Sequence, residues 1–354
     1  MKPSDVVHSV AGWLSGADDE KGIVVSCRAR LARNLAGVPF GARASHDDRR
    51  TVVDQVLQAA RYSERMRGAV YFDLSLLDPA ERRLLVERHL ISPALAEAEG
   101  QRGVLFNPDE SLSVMVNEED HLRLQAILPG LRAEEAWDQV SAVDDELGAA
   151  LGFAHSRKWG YLTACPTNTG TGLRVSVLMH LPGLVLTEQI EKVLRGLTQM
   201  SCAVRGLYGE GSNALGNLFQ VSNQTTLGIP EPQVVTELLR VVRLLIGCER
   251  EAEGVLMSEA RSQVEDKVWR AFGLLSHARV LSSQEFMNLL SAVRLGYSLS
   301  LIDELPTGFM NHLMLVTQPS HLQIEAGREL TAEERDVRRA ALVRQRIAGL
   351  KPGS

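Results

Sequence analysis

The chain has 354 residues, 45% hydrophobic and 23% charged, a composition that excludes a disordered chain and suits a soluble globular protein of about two domains. Its net charge of −6 excludes the broadly basic surface that nucleic acid requires, while leaving room for a local arginine cluster on a small anion. Four scattered cysteines (Cys27, Cys165, Cys202, Cys248) form no Cys-x-x-Cys pair, so no disulfide framework or zinc site is expected. A reducing cytoplasm is the expected location, since the opening residues show no signal-peptide pattern and no apolar run reaches membrane-spanning length.

In chain order, Gly22 to Ser26 reads as a strand and Asp47 to Arg61 as a helix with Val52, Val53, Val56 and Leu57 on one face. Ala69 to Leu74 is an expected strand, and Pro79 to Leu90 a helix with proline in its first turn. Leu112 to Val116 and His121 to Ile127 alternate as paired antiparallel strands do. A long amphipathic helix is expected from Glu134 to Leu151. Strands follow at Leu173 to Met179, Ala203 to Leu207 and Leu218 to Ser222, with a helix from Thr187 to Met200. After Ile229-Pro230-Glu231-Pro232 the pattern is helical from Gln233 to Ser300, broken at the capping pair Ser282-Ser283. Leu305 to Gln318 reads as a loop, and Thr331 to Leu350 as a charged helix opened by a capping box. The expected class is α+β. A catalytic domain with an antiparallel sheet flanked by helices would span residues 1–228, and an α-helical C-terminal domain would span 229–354.

Five arginines stand in unusual settings. Arg28 and Arg30, in Ser26-Cys27-Arg28-Ala29-Arg30, are two apart on an extended chain and point the same way. Arg123 ends Asn117-Glu118-Glu119-Asp120-His121-Leu122-Arg123. Arg174 ends Cys165-Pro166-Thr167-Asn168-Thr169-Gly170-Thr171-Gly172-Leu173-Arg174, and Arg205 opens Arg205-Gly206-Leu207-Tyr208-Gly209-Glu210. Each alone reads as a solvated surface cation. Converging, they would cradle a triphosphate and absorb charge on a phosphoryl group in transfer. Glu119 and Glu210 alone read as exposed acids. A guanidinium acceptor would give them a task. Its pKa lies above ~12, and two carboxylates on its fork would aim one nitrogen and accept its proton.

Rival phosphate motifs are missing. The sequence holds no Gly-x-x-x-x-Gly-Lys-[Ser/Thr] loop, and neither His-Arg-Asp nor Asp-Phe-Gly. Gly209-Glu210-Gly211-Ser212-Asn213-Ala214 fits a dinucleotide pattern without the acidic residue that should follow it.

Taken in order, these strings resemble the guanidino (phosphagen) kinase family over about residues 22 to 228. The resemblance implies that Ser26, Arg28, Arg30, Arg123, Arg174 and Arg205 bind ATP. It implies that Glu119 and Glu210 hold the acceptor and act as bases, with Cys165 as the reactive thiol beside it. Mg2+ would ride on the nucleotide and touch Glu118 through water, with no direct protein ligand. The string departs from the family's habit at Cys27, Thr169 and Asn213, none of them assigned to chemistry. Only 25 residues precede Ser26, so the family's N-terminal helical domain is expected to be absent.

That departure, with the string from Arg205 to Gly228, resembles the branch of bacterial protein-arginine kinases. Arg335-Asp336-Val337-Arg338-Arg339-Ala340 fits the branch's Arg-Asp-x-x-Arg-Ala motif, which implies phosphoarginine binding by Arg335, Asp336, Arg339 and Ala340. These four share one helical face. The resemblance further implies protein substrates with exposed arginines, allosteric regulation, a role in stress response and protein quality control, a homodimer, an activator (McsA) and delivery to the ClpC–ClpP protease. The alternatives are a kinase of free arginine or another small guanidine, and a catalytically dead phosphoarginine-binding adaptor.

Overall fold

The structure, a computed structural model, describes residues 3–7, 9–16, 20–206, 215–302 and 305–350. Its strands are β1 (Val24–Arg33), β2 (Val70–Asp73), β3 (Gly103–Phe106), β4 (Leu112–Val116), β5 (Leu122–Pro129), β6 (His155–Ser156), β7 (Gly160–Tyr161), β8 (Leu173–His180), β9 (Cys202–Arg205) and β10 (Leu218–Asn223). Eight form one antiparallel sheet in the order β2-β3-β4-β5-β1-β8-β10-β9, and β6 pairs with β7 in a separate hairpin.

Alternation divides the work of the two faces, with one register shift between Val24 and Ser26 in β1. Cys27, Ala29 and Leu31 of β1 join Leu124, Val175, Val177 and Val221 in the main core, all at 0% exposure. The helices His46–Ala60, Ala133–Leu151 and Glu231–Glu259 supply Val52, Val140 and Leu238 to this core. The intervening residues, Arg28, Arg30, Arg123, Gln125, Arg174, Ser176 and Gln220, therefore face the other way. One end of that second face, at Val25, Leu178 and Leu218, is covered by a core from the helices Arg261–His277, Ser283–Ser298 and Thr307–Val316. The change of core falls near Ala260, because the helix Glu231–Glu259 packs Val234, Leu238, Val242 and Ile246 into the first core.

Several expectations need correction. β1 runs on to Arg33, so Arg28 and Arg30 lie inside the strand and not at its end. Their charges mask a pattern whose alternate residues are fully buried. The helix expected from Thr187 to Met200 forms only over Ile190–Gln199, and a separate short helix, Pro182–Leu186, precedes it, parted from it at Glu188 with φ 58°. The loop expected from Leu305 to Gln318 is the helix Thr307–Val316. Its Gly308, which resembles a helix breaker, is small because a Cβ there would lie 2.4 Å from the Ser15 carbonyl oxygen. Strand β3 and the helix Pro319–Ala326 were not expected from the sequence pattern. Leu207, the expected end of β9, lies outside the described residues. The capping box at Thr331 forms, with Thr331 accepting from the Glu334 amide and Glu334 from the Thr331 amide.

Candidate active site

Antiparallel register sets the arginines side by side. On β1, Arg30 stands directly opposite Arg174 of β8 and Gln125 of β5, and Arg28 opposite Ser176. On the far side Arg205 of β9 faces Gln220 of β10. These four and Arg123 line one cleft of about 910 Å³. Arg28 donates to Gln220 Oε1 at 3.1 Å, whereas the buried Nε of Arg30 has no hydrogen-bond partner. Burial first, then the guanidiniums of Arg123 and Arg174, lower the Arg28 pKa to about 10. Burial with Arg28, Arg123 and Arg174 drives that of Arg30 down further. An arginine stays charged throughout the working range, so the direction registers how closely these cations crowd one another, with Glu118 offsetting part of the repulsion on Arg30. A polyphosphate suits the remaining excess of positive charge.

The loop after β4 brings carboxylates to the same cleft. Asn117 adopts φ 60° and donates to the carbonyls of Arg49 at 2.8 Å and Gln101 at 2.9 Å, pinning the turn. Glu118 is held by Arg123 Nη1, at 2.9 Å from one carboxylate oxygen and 2.7 Å from the other, and by the Ser92 hydroxyl at 2.5 Å. Glu119 is more open, its Oε2 at 4.0 Å from Arg123 Nη2. Burial, reinforced by Asp120 and Glu118 against the pull of Arg123, raises the Glu119 pKa. That direction suits a base working near neutral pH. Cys165 lines the cleft with Glu119, whose pKa its thiol acts to lower, and sits 2.9 Å from Thr167 Oγ1. Glu210 lies outside the described residues. Ser26 is buried and faces not the main cleft but a side cavity of about 20 Å³ that shares Arg28, His89 and Gln220 with it.

Other residues position this site without any motif to announce them. Asp120 Oδ1 accepts from Asn34 Nδ2 at 2.7 Å and the Ala164 amide at 2.6 Å, tying the glutamate loop to the Cys165 loop. His121 accepts from the Leu35 amide at 3.1 Å and donates to the Pro39 carbonyl at 2.9 Å. Arg33, ion-paired to Asp144 at 2.8 Å and 3.5 Å from the centre of the Tyr161 ring, donates to the Thr171 carbonyl at 2.7 Å. The chain then passes close to its neighbours at Gly170 (φ 115°), where a Cβ would meet the Thr226 carbonyl oxygen at 2.3 Å. His89 (φ 61°) lines the same cleft as Arg28 and Arg30, with its pKa lowered to about 3 by burial and those two cations. A lone histidine after a helix carries no sequence signal. Only the fold brings it to the cleft.

The C-terminal motif sits on the helix Ala332–Ala348. Arg335 and Asp336 are partly exposed, while Arg339 and Ala340 are buried. The Arg339 guanidinium is already engaged: it donates to the carbonyls of Thr317 (3.0 Å) and Leu281 (2.7 Å) and to Asp336 (2.5 Å). Arg335 donates to the Leu330 carbonyl at 2.8 Å.

Comparison with known proteins bears on this geometry. The model described as ATP:guanido phosphotransferase, C-terminal catalytic domain, matches residues 51–252. The chain belongs to the ATP:guanido phosphotransferase family. Within it the chain aligns with protein-arginine kinases almost end to end. It is 46% identical to the one of Halothermothrix orenii over 98% of this chain and 99% of the relative. It is 50% identical to that of Moorella thermoacetica over 95% and 97%. Residues 261–353 match the Protein-arginine kinase McsB C-terminal domain. The fold is that of phosphagen kinases: lombricine kinase matches with a TM-score of 0.60 at 24% identity over 71% of each chain. The duplicated taurocyamine kinase from Schistosoma mansoni matches with a TM-score of 0.60 at 24% identity over 70% of this chain, which spans 37% of that one. This phosphotransferase is therefore an enzyme of the protein-arginine kinase branch. No helix among its described residues is long and apolar enough to cross a membrane.

Proposed function

We propose that the chain transfers the γ-phosphoryl group of ATP to arginine side chains of proteins. The observation that carries this reading is the convergence of Arg28, Arg30, Arg123, Arg174 and Arg205 with Glu119 in one cleft. The arginines bind the phosphates. Glu119, with Glu210 as its expected partner, grips the acceptor guanidinium and takes its proton. The freed nitrogen forms a bond to the γ-phosphorus as the bond from that phosphorus to the β–γ bridging oxygen breaks, and ADP leaves with that electron pair. The guanidiniums already converge on one cleft, so charge in the transition state would meet a preorganised environment.

The proposed divalent cation is Mg2+, neutralising phosphate charge. Phosphate oxygens would hold it, and Glu118, engaged by Arg123 and Ser92, would reach it through water. We assign phosphoarginine binding to Arg335, Asp336, Arg339 and Ala340. A cytoplasmic homodimer, an activator of the McsA kind and hand-over of marked proteins to ClpC–ClpP in stress response complete the reading. Mass spectrometry for acid-labile phosphoarginine, with an unfolded protein and free arginine offered side by side, tests it. Phosphorylation of free arginine alone would overturn the assignment of substrate.

A further inference from the structure

Ser92 does two things with one hydroxyl. As N-cap of the helix Pro93–Glu97 it accepts from the Leu95 amide at 3.0 Å. In the same geometry it donates to Glu118 Oε1 at 2.5 Å. Glu118 in turn grips Arg123 Nη1 through both oxygens, and its side chain is only 7% exposed. Arg123 is the cation nearest Glu119, at 4.0 Å. The chain Ser92–Glu118–Arg123–Glu119 thus runs along the wall of the cleft and ends at the proposed base.

We propose that Ser92 is a positioning residue for the phosphoryl transfer, holding Glu118 so that Arg123 stays aimed at the nucleotide beside Glu119. The physical need is specific. Glu118 faces several cations, and its charge is felt by Arg30 as well as by Arg123. A carboxylate that swung toward Arg30 would release Arg123 and neutralise a cation meant for phosphate. A donated hydrogen bond to a charged, buried oxygen restrains that rotation more firmly than a neutral bond would. This inference rests on Arg123 binding phosphate.

Capping and donation separate by substitution. Aspartate caps a helix as well as serine does, but it cannot donate to Glu118 and adds a like charge; threonine does both. Ser92→Thr should keep the wild-type KM for ATP. Ser92→Asp and Ser92→Ala should raise it about tenfold, the usual scale for a lost bond to a charged group, with the KM for protein substrate changed far less. In an Arg123→Ala background the Ser92→Asp effect should vanish. If Ser92→Asp matches wild type in KM for ATP, Ser92 is only a helix cap and the proposal is wrong. If Arg123→Ala itself leaves that KM unchanged, the assignment of Arg123 fails first and the proposal goes with it. Melting temperatures of all variants identify any that fail to fold, and the threonine–aspartate comparison decides the case without the alanine variant.

Discussion

Arg30 and Arg174 are directly opposed across β1 and β8, like charges at the closest cross-strand position. Such a pair weakens a sheet unless something neutralises it. The fold therefore carries a local cost that a bound anion relieves. Replacing Arg30 by glutamine should raise the melting temperature of the ligand-free protein, by the equivalent of about 1 kcal/mol. ATP at a hundredfold its Kd should stabilise the wild type by about 2.7 kcal/mol and the variant much less. Thermal unfolding with and without nucleotide measures both. A variant less stable than wild type without ligand would contradict the argument.

Glu119 should govern the acid limb of activity. Only its ionised form can take the acceptor's proton, so kcat/KM falls as pH drops through its pKa. Because burial and its acidic neighbours raise that pKa above 4.5, the fall should begin nearer neutrality than an ordinary glutamate would give. Glu119→Ala and Glu210→Ala should abolish phosphorylation while calorimetry finds ATP binding largely intact. A loss of ATP affinity as large as that from Arg174→Ala would remove Glu119 from its acceptor role.

Cys165 lies on the cleft wall against Glu119. A thiol reagent should inactivate the enzyme, and ATP with protein substrate should slow the reaction. Cys165→Ala should resist the reagent. The activity of that variant decides the role: near-full turnover makes the thiol a bystander whose modification merely blocks the cleft.

Phosphoarginine binding is best tested at Arg335. Arg339 is buried, and truncating it would leave the Thr317 and Leu281 carbonyls and Asp336 without their donor, a loss of about 3 kcal/mol. Arg335→Ala should keep the melting temperature and ATP affinity while weakening binding of free phosphoarginine, measured by titration. Unchanged binding would leave this helix as a basic surface with a structural arginine.

A stability effect is expected far from the cleft. Glu249 is buried and accepts from the amides of Gly183 (2.6 Å) and Leu184 (3.0 Å), and burial raises its pKa to about 7. The folded state then holds a proton that the unfolded chain releases near 4.5. Stability is lost as pH rises from there through about 7, by about 3 kcal/mol in full. Glu253 acts in the same direction. Glu249→Gln should flatten the dependence, seen by urea unfolding between pH 5 and pH 8 (about the range in which most domains are stable). A parallel pH profile in both proteins would show that the proton is held elsewhere.

Local order and chemistry were written in the sequence. The alternation in β4 and β5, the capping box at Thr331 and the strings around Arg123 and Arg174 depend on near neighbours, where side-chain period and turn chemistry act directly. Tertiary structure alone decided which of these residues meet. The opposition of Arg30 to Arg174, the placing of His89 in one cleft with Arg28 and Arg30, and the Asp120 bridge from Asn34 to Ala164 join segments remote in the chain. The same holds for helix against loop at Thr307–Val316, where local glycine and proline suggested a turn and burial of Met310, Leu313 and Met314 in the second core prevailed. A pattern of a few residues fixes a period. Which face it buries, and against what, depends on register and packing energy summed over the whole sheet.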